Sequence, residues 1–280
     1  MKKFIVLFAV ILLAGCSTKF AYKNADWLVH WFIDDYVDMT REQKRQFDQN
    51  FEDWMNWHRD TQLPLYLLHF EELASDINTQ NITIDRMEYH QEKARGHWLR
   101  VREHLTPDLA KLAATLSTAQ VDELFKNLEE KNVEDEEERA ERAEQSPEKR
   151  RDRWVKRNKD NIENWLGKLS PEQERLIEDQ YNNFTSNGLM WVEYRRNYQA
   201  AIKEVFNAPD REDAFEQAMI ELLNNPDVFR SQEMLDRSAA NEYASKQYLL
   251  TLFNFTNEKQ RQHMIEELND WRDDVVELMR

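Results

Sequence analysis

Apolar positions recur at steps of three and four residues along nearly the whole chain, and strict two-residue alternation over a strand's length is hard to find. That period puts apolar side chains on one face of a helix. It predicts an all-α fold: an elongated multi-helix assembly built from helical hairpins, with no sheet. The longest predicted helix runs over 171–207, with a buried stripe of Ile177, Tyr181, Phe184, Gly188, Trp191, Tyr194, Tyr198, Ile202 and Val205. At 1.5 Å per residue, a helix of about 37 residues would reach about 55 Å. Further helices are predicted over 24–37, 41–59, 63–77 and 84–105. Pro107 is expected to open a short one and Thr118 a longer one, with 210–223, 227–253 and 257–279 completing the set.

Helix starts are marked repeatedly in one way. Met39-Thr40-Arg41-Glu42-Gln43, Leu116-Ser117-Thr118-Ala119-Gln120 and Leu169-Ser170-Pro171-Glu172-Gln173 each place an apolar residue, a hydroxyl, then Gln three positions on. The hydroxyl accepts an orphan backbone N–H and the Gln returns to the N-cap amide, which is a capping box with its preceding staple residue. Each cap contributes about 1 kcal/mol. A fourth copy, Phe255-Thr256-Asn257-Glu258-Lys259, is degenerate on this reading because Lys259 cannot accept, with Gln260 as a substitute.

The N-terminus departs from this pattern. Lys2 and Lys3 precede an unbroken apolar run from Phe4 to Ala14, followed by Gly15 and Cys16. A basic segment, a short apolar segment and small residues before a cleavage point make an export signal. A spanning helix needs about twenty apolar residues, and this run is much shorter. The expected organisation is a cleaved signal peptide over 1–15, a tether over 16–23 and an all-helical body over 24–280. A highly charged segment lies near 129–159. There, 134–148 holds eight acidic and two basic residues, and 149–159 holds seven basic and one acidic. The blocks either face each other across the turn at Ser146-Pro147 or form separate solvated faces, with a basic docking surface over 149–159 as the functional alternative.

Composition narrows the chemistry. The 280 residues carry Lys+Arg 38 against Asp+Glu 54, a net charge of −16. The acidic balance argues against nucleic acid as a partner, since phosphate contacts need clustered positive charge on one face. One Cys and four Gly leave no disulfide framework, no Cys-based metal site and no phosphate-cradling loop. No cofactor is expected. None of the seven histidines has Glu three positions before it, as a di-iron bundle requires. His69 with Glu72, and His263 with Glu266 and Glu267, have metal-capable spacing but no evident third ligand, so no metal is assigned. His90, His97 and His104 align on one helix face about 10.5 Å apart, too far to share an ion. They read as partly exposed residues beside the core, or as a pH-responsive face. No nucleophile motif is present, and no catalytic residue is assigned.

The aromatic clusters are the remaining candidates. Trp27, Trp31, Phe32 and Tyr36 precede Phe47, Phe51, Trp54 and Trp57 on the next helix. Core packing between the two helices explains them. A groove for an apolar partner segment is the functional alternative, with Trp27, Trp31, Trp54 and Trp57 as its candidate residues.

Three resemblances add to this. Leu12-Leu13-Ala14-Gly15-Cys16 resembles the lipobox of bacterial lipoproteins, which implies cleavage before Cys16 and acylation of its sulfur. Ser17 in place of Asp implies sorting to the outer membrane. The capping motif is similar to the Leu-Thr-x-x-Gln motif of small periplasmic chaperones of the spheroplast-protein-Y type, which makes Gln43, Gln120 and Gln173 candidate client contacts. The lipobox with Tyr22-Lys23-Asn24-Ala25-Asp26-Trp27-Leu28, Asp34-Asp35-Tyr36-Val37 and Thr40-x-x-Gln43 resembles a family of proteobacterial lipoproteins of unknown function. Together these imply a lipoprotein of the outer membrane facing the periplasm and held to the membrane by acyl chains. The expected role is non-enzymatic, through envelope or periplasmic protein partners. A client-binding chaperone is the alternative, and an envelope-directed hydrolase the third.

Overall fold

The computed structural model describes residues 15–280. The expected signal peptide over 1–15 therefore lies almost wholly outside the described residues. Among the described residues the fold is all helical, with no strand. The first half of the chain contains α1 (Gly15–Lys23), α2 (Ala25–Asp34), α3 (Arg41–Trp57), α4 (Leu63–Asn78), α5 (Ile84–Ala114) and α6 (Thr118–Ala143). The second half contains α7 (Pro147–Leu166), α8 (Pro171–Gln180), α9 (Gly188–Phe206), α10 (Asp213–Asn224), α11 (Gln232–Asn254) and α12 (Glu258–Leu278). No described helix is long and apolar enough to cross a membrane.

The halves interlock. The α12 helix packs along α4 and also touches α1 and α7, while α10 packs along α5 and α9 along α6. Three buried clusters record this. Ala110, Val121, Phe125, Phe206, Phe215 and Met219 join α5, α6, α9 and α10. Leu166, Leu169, Ile177, Tyr248 and Leu252 join α7, α8 and α11. Tyr22, Leu63 and Leu278 join α1, α4 and α12. Within 19–23, Ala21 and Tyr22 are buried, and Lys19 reaches Asp274 at 2.8 Å and Glu277 at 2.9 Å.

Several boundaries differ from the periodic reading, each for a local reason. The helix expected over 171–207 breaks after Gln180. Tyr181–Asn183 forms a 3-10 turn and α9 restarts at Gly188. The intervening Asn, Thr and Ser residues favour side-chain bonds to backbone over helix continuation. Asn241 holds the break open, donating to the Thr185 carbonyl at 2.7 Å and accepting its N–H at 2.9 Å. Pro107, expected to open a helix, lies inside α5. A proline there removes one i→i−4 bond. Thr106, almost wholly buried beside it, donates to the Arg102 carbonyl at 2.6 Å. The predicted gap between 59 and 63 is bridged by a π-helical turn, His58–Gln62, so α3 and α4 run on without a loop.

The capping motifs do more than start helices. Capping boxes stand at Thr40/Gln43, Ser117/Gln120 and Ser170/Gln173 as expected. The fourth is not degenerate: its N-cap is Asn257 and its returning amide is Gln260, one residue later than the Thr256/Lys259 reading. The four glutamines then join in two pairs. Gln43 donates to Gln120 Oε1 at 3.1 Å and to the Thr115 carbonyl at 3.0 Å. Gln120 donates back to Gln43 Oε1 at 2.7 Å and to the Asp38 carbonyl at 2.8 Å. In the second half, Gln173 and Gln260 exchange bonds at 3.1 and 2.9 Å, and Gln260 reaches the Lys168 carbonyl at 3.0 Å. Every amide group in these pairs is occupied, the condition under which burying it is tolerable.

Candidate functional site

Two features meet where the halves of the chain join. One is a cavity of about 600 Å³ between α4, α5, α7, α11 and α12. The other is a half-buried row of histidines along the α4–α5 contact, one of which, His90, lines that cavity.

The cavity is apolar by construction. The first half contributes Leu73, Ile77, Ile82 and Met87, and the second contributes Ile162, Trp165, Leu166, Leu249, Leu252, Phe253 and Met264. These come from the stripes that pack each helix, spaced so that one row remains uncovered between α5 and α11. Polar groups are few: His90, Gln91, Glu242, Ser245 and Lys246. Lys246 bridges the halves, contacting Glu242 on its own helix at 2.7 Å and Glu88 on α5 at 3.1 Å. Those carboxylates hold its ammonium above the ordinary lysine range. A concave apolar space of this size with a few polar groups is the form of ligand pockets generally.

The histidine row has a definite polarity. Asp76, an acceptor only, takes a bond from His90 Nε2 at 2.8 Å and an ion pair from Arg86. His90 Nδ1 meets His69 Nε2 at 3.0 Å, and His69 Nδ1 meets His97 Nε2 at 3.2 Å. His97 Nδ1 is capped by the guanidinium of Arg100, whose Nε donates to Gln62 at 3.1 Å. A donor-only group at one end and an acceptor-only group at the other leave one proton arrangement. Along the row each ring donates from Nε2 toward the Asp76 end and accepts at Nδ1 from the Arg100 end. Burial first pushes His69 and His97 down to about 4, helped by the neighbouring histidines at His69 and by Arg100 and Lys93 at His97. Next to the row, His58 sits between the Tyr22 and Tyr66 hydroxyls at 3.1 Å each, and burial pushes it down to about 4 as well.

The row was half visible in the sequence. His90 and His97, two helical turns apart, are too distant to share an ion, yet that gap accepts one imidazole between them, and His69 supplies it from α4. His104 does not join; its ring stacks on Trp57 with centroids 3.7 Å apart. His69 therefore works with two histidines instead of Glu72, whose carboxylate pairs with Lys93 at 2.5 Å. His263 lies within 3.8 Å of Glu267. Among the described residues no group of three or more His, Cys, Asp or Glu is arranged to hold a metal.

The remaining candidates separate. Trp54 is buried, with its Nε1 donating to Asp108 at 3.1 Å, whereas Trp27 and Trp31 stand out from the surface. Gln43, Gln120 and Gln173 are buried in the pairs described above. Cys16 belongs to α1. In the charged segment, the acidic side of α6 turns to α9: Asp135 pairs with Arg195, and Glu129 and Glu136 with Arg196. From the basic block, Lys159 pairs with Glu174 and Glu178 on α8.

No curated protein and no solved structure matches the chain. A family model does match, over residues 35–234. That span takes in α3–α10, the histidine row and much of the cavity lining, and the chain belongs to DUF6279, a family of unknown function.

Proposed function

We propose that this is a lipid-anchored lipoprotein of the outer membrane, facing the periplasm, that works without catalysis by holding an apolar segment of a protein partner. The address rests on the lipobox ending in Cys16, the only cysteine of the chain. The binding role rests on one observation, the cavity whose apolar walls come from both halves of the chain. An uncovered apolar space in an otherwise heavily charged molecule is kept at a cost in exposed hydrophobic surface, which a bound segment recovers. Its edge, with Glu242 and Glu88 around Lys246, favours a segment that carries positive charge beside its apolar residues.

The test is a photo-crosslinking side chain placed at Ile82 or Leu249 in living cells, with exposed Glu137 as the control position. A defined adduct from the cavity positions, abolished by Met264→Asp, is the expected result. Equal labelling from Glu137, or none from the cavity, would end the proposal. A client-binding chaperone would instead suppress aggregation of many unrelated unfolded proteins through the same residues, and purified protein distinguishes the two.

A further inference from the structure

The first two helices carry a stripe of exposed aromatic residues. Phe20 is 63% exposed, Trp27 60% and Trp31 51%. Asn24 follows α1 and precedes α2, and the exposed positions on both sides of it, Phe20, Lys23, Trp27 and Trp31, recur at steps of three and four. The Asn24 N–H donates to the Phe20 carbonyl and the Leu28 N–H to the Asn24 carbonyl, each at 3.0 Å. The opposite face is fixed to the body through buried Ala21 and Tyr22 and through Lys19 and Lys23, which pair with Asp274 and Glu277 on α12. These contacts fix the orientation of α1 on α12.

What lies just upstream identifies the occupant. Cys16 sits in the same helix, one turn before Phe20, and an unbroken apolar run ends two residues before Cys16. Acyl chains on Cys16 would bring the bilayer to the near end of the stripe. From Phe20 to Trp31 is eleven residues, or about 16 Å along the helix. Tryptophan combines a large apolar ring with one N–H donor and concentrates at the level of lipid headgroups. Past Trp31, Asp34 pairs with Lys44 at 3.2 Å, where the chain turns back to the body.

We propose that the Phe20–Trp27–Trp31 face lies in the headgroup region of the membrane that anchors the protein, with the lipid interface as its partner. This rests on the anchored reading above. Acyl chains alone would let the body swivel. A helix bonded to α12 on one side and seated in lipid on the other sets the angle at which the body, and with it the cavity, faces the periplasm.

The experiment uses mature protein extracted from membranes and reconstituted into vesicles of phosphatidylethanolamine and phosphatidylglycerol. The vesicles are doped with phosphatidylcholine brominated near its headgroup end. Part of the tryptophan emission should be quenched, and that quenching should vanish in Trp27→Phe/Trp31→Phe, which keeps the face apolar and, by circular dichroism, the helix content. Acylated protein that floats with the vesicles but shows the same quenching with and without the two tryptophans, or none, overturns the docked face and leaves anchoring intact. Protein with no acyl mass on Cys16 that fails to float overturns both.

Discussion

The two halves of the chain close with the same device in different surroundings. In the first half the Gln43–Gln120 pair borders a cavity of about 500 Å³ whose other walls include Asp38, Thr40, Glu42 and Gln46. In the second, Gln173 is fully buried and Gln260 nearly so, beside Leu169 and Ile177 of the α7–α8–α11 cluster. The hydrogen bonds are nearly the same length in both. What differs is the replacement available when a bond is lost. The first pair borders a cavity and the second lies against an apolar cluster, so equal geometry should carry unequal energy. The halves also differ in their titrating groups. His30, His58, His69, His90, His97 and His104 all belong to the first, and His263 alone to the second.

Acid is the strongest way to separate them. His58, His69 and His97 take up a proton less readily folded than unfolded, at about 4 against an ordinary 6.5. Their contribution to stability is complete above pH 6.5 and is withdrawn as pH falls from 6.5 to about 4. Each group withdraws up to about 1.4 kcal/mol per pH unit, before discounting for solvent access. A protonated His69 would also offer a donor to a neighbour already offering one. Urea melts at pH 7 and pH 5 should therefore show a loss of several kcal/mol, reduced in His69→Gln and unchanged in His263→Gln. Equal pH slopes in all three proteins would remove the histidine row as the cause.

Amide deletions sharpen the comparison next. Gln173→Ala removes a cap and strands buried partners on Gln260, Ser170 and Phe255, at about 2–4 kcal/mol. Gln43→Ala removes the same bonds at the edge of a cavity, at about 1–2 kcal/mol. The double variant Gln173→Ala/Gln260→Ala should cost less than the sum of its singles, because the two amides satisfy each other. Equal costs in the two halves would show that the cavity beside the first pair does not matter.

Much of this was legible in the chain and some was not, for reasons that particular residues show. The three-to-four period and the Ser/Thr-x-x-Gln starts are local, so helicity and three of the four capping boxes followed from neighbours in sequence. The pairing of glutamines 77 and 87 positions apart depends on how the chain folds back, which no local pattern carries. The same holds for His69 entering between His90 and His97. The stripe over 171–207 failed for the opposite reason. Its apolar spacing was continuous, and the break after Gln180 is held by Asn241, far along the chain. Trp27 and Trp54 have similar patterns on adjacent helices, and only the packing of α3 against α5 buries one and leaves the other bare.

The smallest expected effects lie at the fourth helix start, where register decides which of two adjacent residues matters. Asn257 Oδ1 accepts the Gln260 N–H at 3.0 Å, and Gln260 returns to the Asn257 N–H at 3.2 Å. Thr256 instead donates to the Phe253 carbonyl at 2.6 Å, closing the end of α11. Asn257→Ala should thus cost about 1 kcal/mol, as an N-cap does. Lys259→Ala should stay within about 0.5 kcal/mol, since its side chain is exposed. Thermal melts of the two variants check the difference. If Lys259→Ala proved the more damaging, the box would be in the Thr256 register, and Gln260 would lose the position from which it faces Gln173. The second pair would then have no geometric basis, and with it would go the symmetry between the halves on which the amide comparison depends.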